Sequence, residues 1–178
     1  MHPDDETVAT GEIGAKPSIY IWNSTTLEVK NQFKAAILKG IAALAFSPSG
    51  NKLVAAAIED DHWVAVLSVT GMGQVLCKVK GGRDVMIALA FNNEDEFASV
   101  GAKHYKYWKI SGGSCAGTKG DQELKMVLNC CEFIDGSCIV GTSEGSLFNC
   151  KGSAMGQPRK IHEKSIDGLF VSKEWYFI

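Results

Sequence analysis

The sequence carries little that would mark a membrane, secreted or nucleic-acid-coating protein. No apolar run approaches the ~18 residues of a transmembrane helix. The N-terminal stretch is acidic and has no apolar core, so no secretory leader is expected. Its 18 lysines and arginines stand against 20 aspartates and glutamates, a formal charge of −2. That balance argues against a nucleic-acid partner. The 6 cysteines include no CxxC pair, and the densest cluster, CCEFIDGSC, has the wrong spacing for a zinc knuckle. They are expected to be reduced, buried structural thiols, which suits a cytoplasmic or cytoskeletal location. No window shows a sustained helical stripe with caps.

Catalytic signatures are equally scarce. No Ser-His-Asp, Cys-His or paired-carboxylate arrangement stands out. The glycine-rich stretch Ser111–Asp121 lacks the Gly-Lys-Ser/Thr order of a phosphate loop, and no helical pattern follows it. The acids Asp4-Asp5-Glu6 and Glu59-Asp60-Asp61 read as hairpin turns rather than catalytic or calcium-binding groups. The reading is therefore a chain without catalytic residues, cofactor or metal.

What is present is 19 glycines punctuating short apolar runs across 178 residues, length enough for one ordinary domain. IYIW, KLVAAAI, WVAVLSV and MIALAF are rich in β-branched or aromatic residues and predict strands. The runs also recur. ALAFSPSGNKLVAAA, ALAFNNEDEFASVGA, NCCEFIDGSCIVGTSEG and IDGLFVSKEWYFI each hold a strand closing on phenylalanine (Phe46, Phe91, Phe133, Phe170), a polar turn and a second strand. Third and fourth segments follow, SIYIWNS, HWVAVLSV, HYKYWKI and SLFNCKG, then LEVKNQF, GQVLCKVK, GSCAGTKG and GQPRKIH. Four short strands per unit of about 40 residues is the signature of a β-propeller blade. Stacking blades about an axis buries both faces of each sheet. Ala42, Ala43, Ala45, Ala88 and Ala90 suit the first strand, at the crowded centre.

The fold class is thus all-β, a propeller with about four blades present. The expected divisions are 1–35 as a partial blade, 36–80, 84–120 and 123–164 as whole blades, and 165–178 as the start of a further one. Trp175, Tyr176 and Phe177 are expected in a core strand of that last unit. A closed ring usually needs six to eight blades, so the chain reads as part of a larger, tandem propeller. Closure as four blades, with Asp167–Val171 completing the first, is the less favoured alternative. Open blade edges would invite self-association.

The opening His2-Pro3-Asp4-Asp5-Glu6 resembles the metal-binding signature of zinc-dependent N-acetylglucosaminyl deacetylases. Aligned on the repeat, it falls on Ser47-Pro48-Ser49-Gly50, the turn between the first two strands of a blade. Proline presets φ for a turn and aspartate bonds its own backbone, which explains both residue types without a metal.

A second resemblance runs in order along the chain. Trp22-Asn23 stands where WD-repeat proteins place Trp-Asp, and Trp108-Lys109 is a more degenerate copy. His2-Pro3, Val8–Glu12, Pro17, Thr26-Leu27, Gly40–Ser47 and Asp60–His62 follow the motif order of the echinoderm microtubule-associated protein-like (EMAP-like) family. VGAKHYKYWKISGG and IVGTSEGSLF resemble its later strands. The chain departs at Trp22-Asn23 and at Phe148-Asn149-Cys150, which makes those blades degenerate. The resemblance implies a WD-repeat scaffold associated with microtubules, in a family typically built of two propellers after a hydrophobic motif and a coiled coil. A general protein-protein adaptor is the alternative. Two basic clusters are the candidate partner-binding residues: Lys103, His104, Lys106 and Lys109, then Arg159, Lys160 and Lys164 with His162. Such groups would suit the acidic surface of tubulin. The implied partners are proteins, tubulin or microtubules among them, with no nucleic acid and no membrane.

Overall fold

Short apolar runs broken by polar and glycine turns shape the chain into a row of small antiparallel sheets. The computed structural model describes residues 2–14, 16–34, 39–71 and 74–171. The first sheet holds β1 (Thr7–Gly11), β2 (Ser18–Asn23) and β3 (Val29–Lys34). The second holds β4 (Ile41–Phe46), β5 (Lys52–Ala57), β6 (Trp63–Ser68) and β7 (Gln74–Lys80). The third holds β8 (Met86–Asn93), β9 (Glu96–Gly101), β10 (His104–Ser111) and β11 (Ser114–Lys119). In the fourth, β12 (Leu128–Ile134), β13 (Ser137–Thr142) and β14 (Ser146–Lys151) are followed by an outer edge shared between β15 (Ala154–Met155) and β16 (Arg159–Lys160). Every pairing is antiparallel between strands consecutive in sequence, apart from β16, which returns to β14. The sheets are the blades of a β-propeller.

The central strand β5 shows why blades stack. Leu53, Ala55 and Ala57 enter the cluster shared with the first sheet, while Val54 and Ala56 enter the one shared with the third. Successive side chains of a strand point to opposite faces, so a strand apolar at every position must be covered twice. All five of these residues are 0% exposed. The same division holds for β9, with Phe97 facing the second blade and Ala98 and Val100 the fourth. Among the described residues each of the three hydrophobic clusters fills a seam between consecutive blades, and none joins the fourth blade to the first.

The first strands of the second, third and fourth blades share a local irregularity, a register shift at Ile41/Ala43, Met86/Ala88 and Leu128/Cys130. A bulge raises twist and bends the strand. Its recurrence at one repeat position marks the entry of each blade into the centre.

After the fourth blade, the Ile166 N–H donates to the Thr142 carbonyl (3.0 Å). The equivalent bond from Ile41 to Glu12 (3.0 Å) joins the second blade to the first. Residues 165–171 carry no strand pairing beyond this. Trp175, Tyr176 and Phe177, expected in a core strand, lie outside the described residues.

Candidate interaction surface

The deacetylase-like His2–Glu6 segment is a hairpin turn. Asp4 holds it: its carboxylate accepts the backbone N–H groups of Glu6 (2.9 Å) and Thr7 (2.7 Å) and the Thr7 hydroxyl (2.7 Å). Those hydrogen bonds, the Thr7 hydroxyl foremost, hold the carboxyl well below the usual carboxylate range. The His2 Nδ1 accepts the Asp4 N–H (3.1 Å), and the His2 ring sits edge-on to Phe46 at 5.0 Å. Among the described residues no three His, Cys, Asp or Glu side chains converge to hold a metal ion.

The first basic cluster does not form one patch. Lys103 is exposed in the β9–β10 turn, at a positive φ of 54°. Lys109 lies six residues along β10, roughly 20 Å away by strand rise. There it pairs with Glu96 at 3.1 Å. Glu96 also accepts from the Tyr107 hydroxyl (2.9 Å) and the Asn93 amide (2.8 Å). Together the Asn93, Tyr107 and Lys109 bonds lower its carboxyl to about 2. Lys106, half-buried between these two, lays its ammonium over the Trp108 ring at 5.3 Å and donates to the Gly81 carbonyl. Burial lowers its amine.

His104 corrects the sequence reading. Its ring is 1% exposed and cannot act in a surface patch. The Nε2 atom lies 2.7 Å from the Ser99 Oγ, which accepts the Trp108 indole N–H at 2.8 Å. Burial, reinforced by the nearby Lys106 charge, pushes the imidazole down to about 4. Strand alternation alone did not signal this, since His104 shares its face with Lys106 as well as Trp108. His104, Tyr105, Tyr107 and Trp108 are buried whereas Lys106 and Lys109 are not, because a bladed strand buries apolar and hydrogen-bonded side chains on both faces.

The second cluster is brought together. Arg159 and Lys160 pair with Leu147 and Ser146 at the start of β14. Lys160 Nζ donates to the Glu144 carbonyl, and the His162 N–H donates to the Gly145 carbonyl at 2.9 Å. Gly145, at φ +77°, admits the following chain so closely that an added Cβ would lie 2.1 Å from the His162 carbonyl and 2.4 Å from that of Lys164. Arg159, Lys160, His162 and Lys164 therefore gather, all exposed, about the Ser143–Gly145 turn. That turn is the repeat equivalent of the one bearing Lys103, so the two lie at the same end of neighbouring blades. Lys119, the register partner of Lys106, adds a further cation near Asp84 (3.9 Å). Hairpin register alone places it there; the linear clustering of lysines did not reveal it.

No family model matches the chain. Its sequence is similar to echinoderm microtubule-associated protein-like 3 of Mus musculus, 26% identical over 202 residues covering 100% of this chain and 22% of that protein. It is also similar to the 77 kDa echinoderm microtubule-associated protein of Strongylocentrotus purpuratus, 28% identical over 83% of this chain and 24% of that protein. The similarity is to members of the EMAP-like WD-repeat family. It spans about a quarter of the length of these curated EMAP-like relatives. Among solved structures, it superposes on the β-propeller domain of Cps50 (Swd1) from Myceliophteria thermophila with a TM-score of 0.78 at 14% identity, covering 97% of this chain and 59% of that one. The computationally designed Ika8 protein gives 0.70 at 20% identity, covering 95% and 51%. At those identities the likeness concerns the propeller fold. In this chain the fold sets the basic side chains at blade ends and along strands, around seams filled by the hydrophobic clusters.

Proposed function

We propose that the chain is a non-catalytic EMAP-like propeller segment of the cytoplasmic cytoskeleton that binds tubulin or microtubules. One observation carries the reading: relatives named as microtubule-associated match 83% to 100% of this propeller chain. The exposed cations Lys103, Arg159, Lys160 and Lys164, at one end of the third and fourth blades, are the contact surface in this reading, and Lys106 and Lys109 lie further along β10. An acidic lattice would be held by such groups through Coulomb attraction that salt screens over a Debye length of about 8 Å at physiological ionic strength. The interaction is predicted to be protein-directed, with neither nucleic acid nor membrane.

Co-sedimentation with polymerised microtubules, at low and at physiological salt, tests this. The 178-residue chain is used. Salt-sensitive pelleting is the expected result. A chain that stays in the supernatant at low salt refutes microtubule association and leaves the general adaptor role.

A further inference from the structure

The first blade is one strand short. Among the described residues β1 pairs with β2 alone, whereas β5, β9 and β13, its counterparts in the later blades, each lie between two strands. The side left open is the one that β4, β8 and β12 cover further along the chain. The backbone N–H and C=O groups there form a free edge that can template another strand.

The face of this blade is open as well. Val8, Tyr20 and Trp22 hold the repeat positions of Leu53, Ala65 and Leu67, since Val8 pairs with Trp22 as Leu53 pairs with Leu67. The second-blade residues are sealed at 0%, 0% and 1% exposure, but their first-blade counterparts are only half-buried. At the far end of the chain, Ile139 and Leu147 hold the positions of Ala98 and Tyr105. They too are half-buried where their third-blade counterparts are fully covered.

The chain also carries a strand that fits the gap. Ile166 stands against Gly141 as Ile41 stands against Gly11, so close in both places that neither glycine could carry a Cβ. The N–H bond from Ile166 to Thr142 matches the one from Ile41 to Glu12. Ile166 therefore sits where the first strand of a blade begins. Residues 167–171 follow with no strand partner, and the Phe170 side chain is 90% exposed.

We propose that two copies of the chain join head to tail into one propeller ring. Residues 167–171 of each copy pair antiparallel with β1 of the other and complete its first blade. Ile139 and Leu147 of one copy pack on Val8, Tyr20 and Trp22 of the other. The joint continues a seam made three times within the chain, with the same faces meeting in the same direction. Added main-chain hydrogen bonds and apolar faces withdrawn from water hold it. A head-to-tail contact repeats until it closes, and two sets of four blades make a ring of eight, inside the usual size range for propellers. Among the described residues no hydrophobic cluster closes a single copy on itself.

Sedimentation velocity of the 178-residue chain, from low to high micromolar concentration, tests this. One species of twice the chain mass is expected, giving way to single chains on dilution. The double variant Leu169→Pro/Phe170→Pro removes two successive N–H groups, one of which must face β1. Trp22→Glu sets a charge on the receiving face. Each variant alone should need at least about tenfold more protein to dimerise. Mixed, the two should pair, because one retains a sound receiving blade and the other a sound strand. That recovery belongs to a head-to-tail joint and not to two like surfaces meeting.

A wild type that stays a single chain throughout overturns the proposal. So does a proline variant that dimerises as well as wild type, a mixture that stays monomeric, or a run of larger assemblies in place of the two-copy ring. Should a variant fail to fold, hydrogen exchange on the wild type decides. Amides of residues 7–11 and 167–171 should gain protection together as concentration rises, and unchanged exchange there overturns the proposal.

Discussion

The indole N–H of Trp108 ends on the hydroxyl of Ser99, 2.8 Å away, and both side chains are buried, at 1% and 0% exposure, with Trp108 in the seam between the second and third blades. Ser99 in turn meets His104, and the Phe97 ring lies flat on Trp108 with centroids 5.7 Å apart and planes 5° from parallel. One tryptophan thus anchors a buried polar chain and a stacked aromatic pair.

Trp108→Phe keeps most of the volume but removes the donor to Ser99, which keeps its hydrogen bond to His104. It should cost about 1 kcal/mol, the net contribution of one hydrogen bond. Trp108→Ala adds a cavity and should cost about 3–5 kcal/mol. Urea unfolding measures both, and a Trp108→Phe variant as stable as the wild type would show that the hydrogen bond contributes nothing beyond packing.

The same chain makes stability depend on pH. The His104 imidazole is depressed to about 4, below the ordinary 6.5, so the folded state favours its neutral form. Its contribution is complete above about pH 6.5, where both states are neutral. It is lost as pH falls from there to about 4, because the unfolded chain takes up a proton that the folded one refuses. The full loss is on the order of 3 kcal/mol. His104→Gln should flatten stability between pH 6.5 and 4, and an unchanged slope would locate the acid sensitivity elsewhere.

Two glycines separate steric from conformational demands. A Cβ on Gly101 would fall 1.8 Å from the Val85 carbonyl oxygen, so Gly101→Ala forces backbone apart and should cost about 2 kcal/mol or more. Gly136 has open space but φ +75°, so Gly136→Ala should cost only about 1 kcal/mol, from left-handed strain. Thermal melts of the two variants should keep that order.

Charge reversal distinguishes the basic residues. Arg159→Glu, Lys160→Glu and Lys164→Glu combined should weaken microtubule pelleting several-fold at low salt and much less at high salt. Lys109→Glu should change it little, because Glu96 already neutralises that lysine. Equal loss from both would point to net charge alone rather than a patch at the blade ends.

Asp4→Ala removes the acceptor of three hydrogen bonds in the first turn. The melting temperature should fall with it. Zinc added to the wild type should not shift the melting midpoint, whereas a metal-dependent rise would revive the deacetylase-like reading of His2 and Asp4.

By itself the sequence determined that strands would form and where the turns would fall. Short apolar runs closing on Phe46, Phe91 and Phe133, with proline, aspartate and glycine between them, are local signals, and strand pairing between sequence neighbours follows from them. The sequence also determined that β5 is covered on both sides, since a strand apolar at every position has no face for water. Only the tertiary structure decided which polar groups sit inside those seams. His104 looks like a surface cation beside three lysines, yet strand alternation and blade stacking turn it inward to Ser99, while Lys109 emerges roughly 20 Å from Lys103. Cys77 and Cys115, 7% and 8% exposed, enter one seam because the outer strands of successive blades pack together. No local pattern encodes that meeting, since side chains distant in sequence are brought together only by the packing of one sheet on the next.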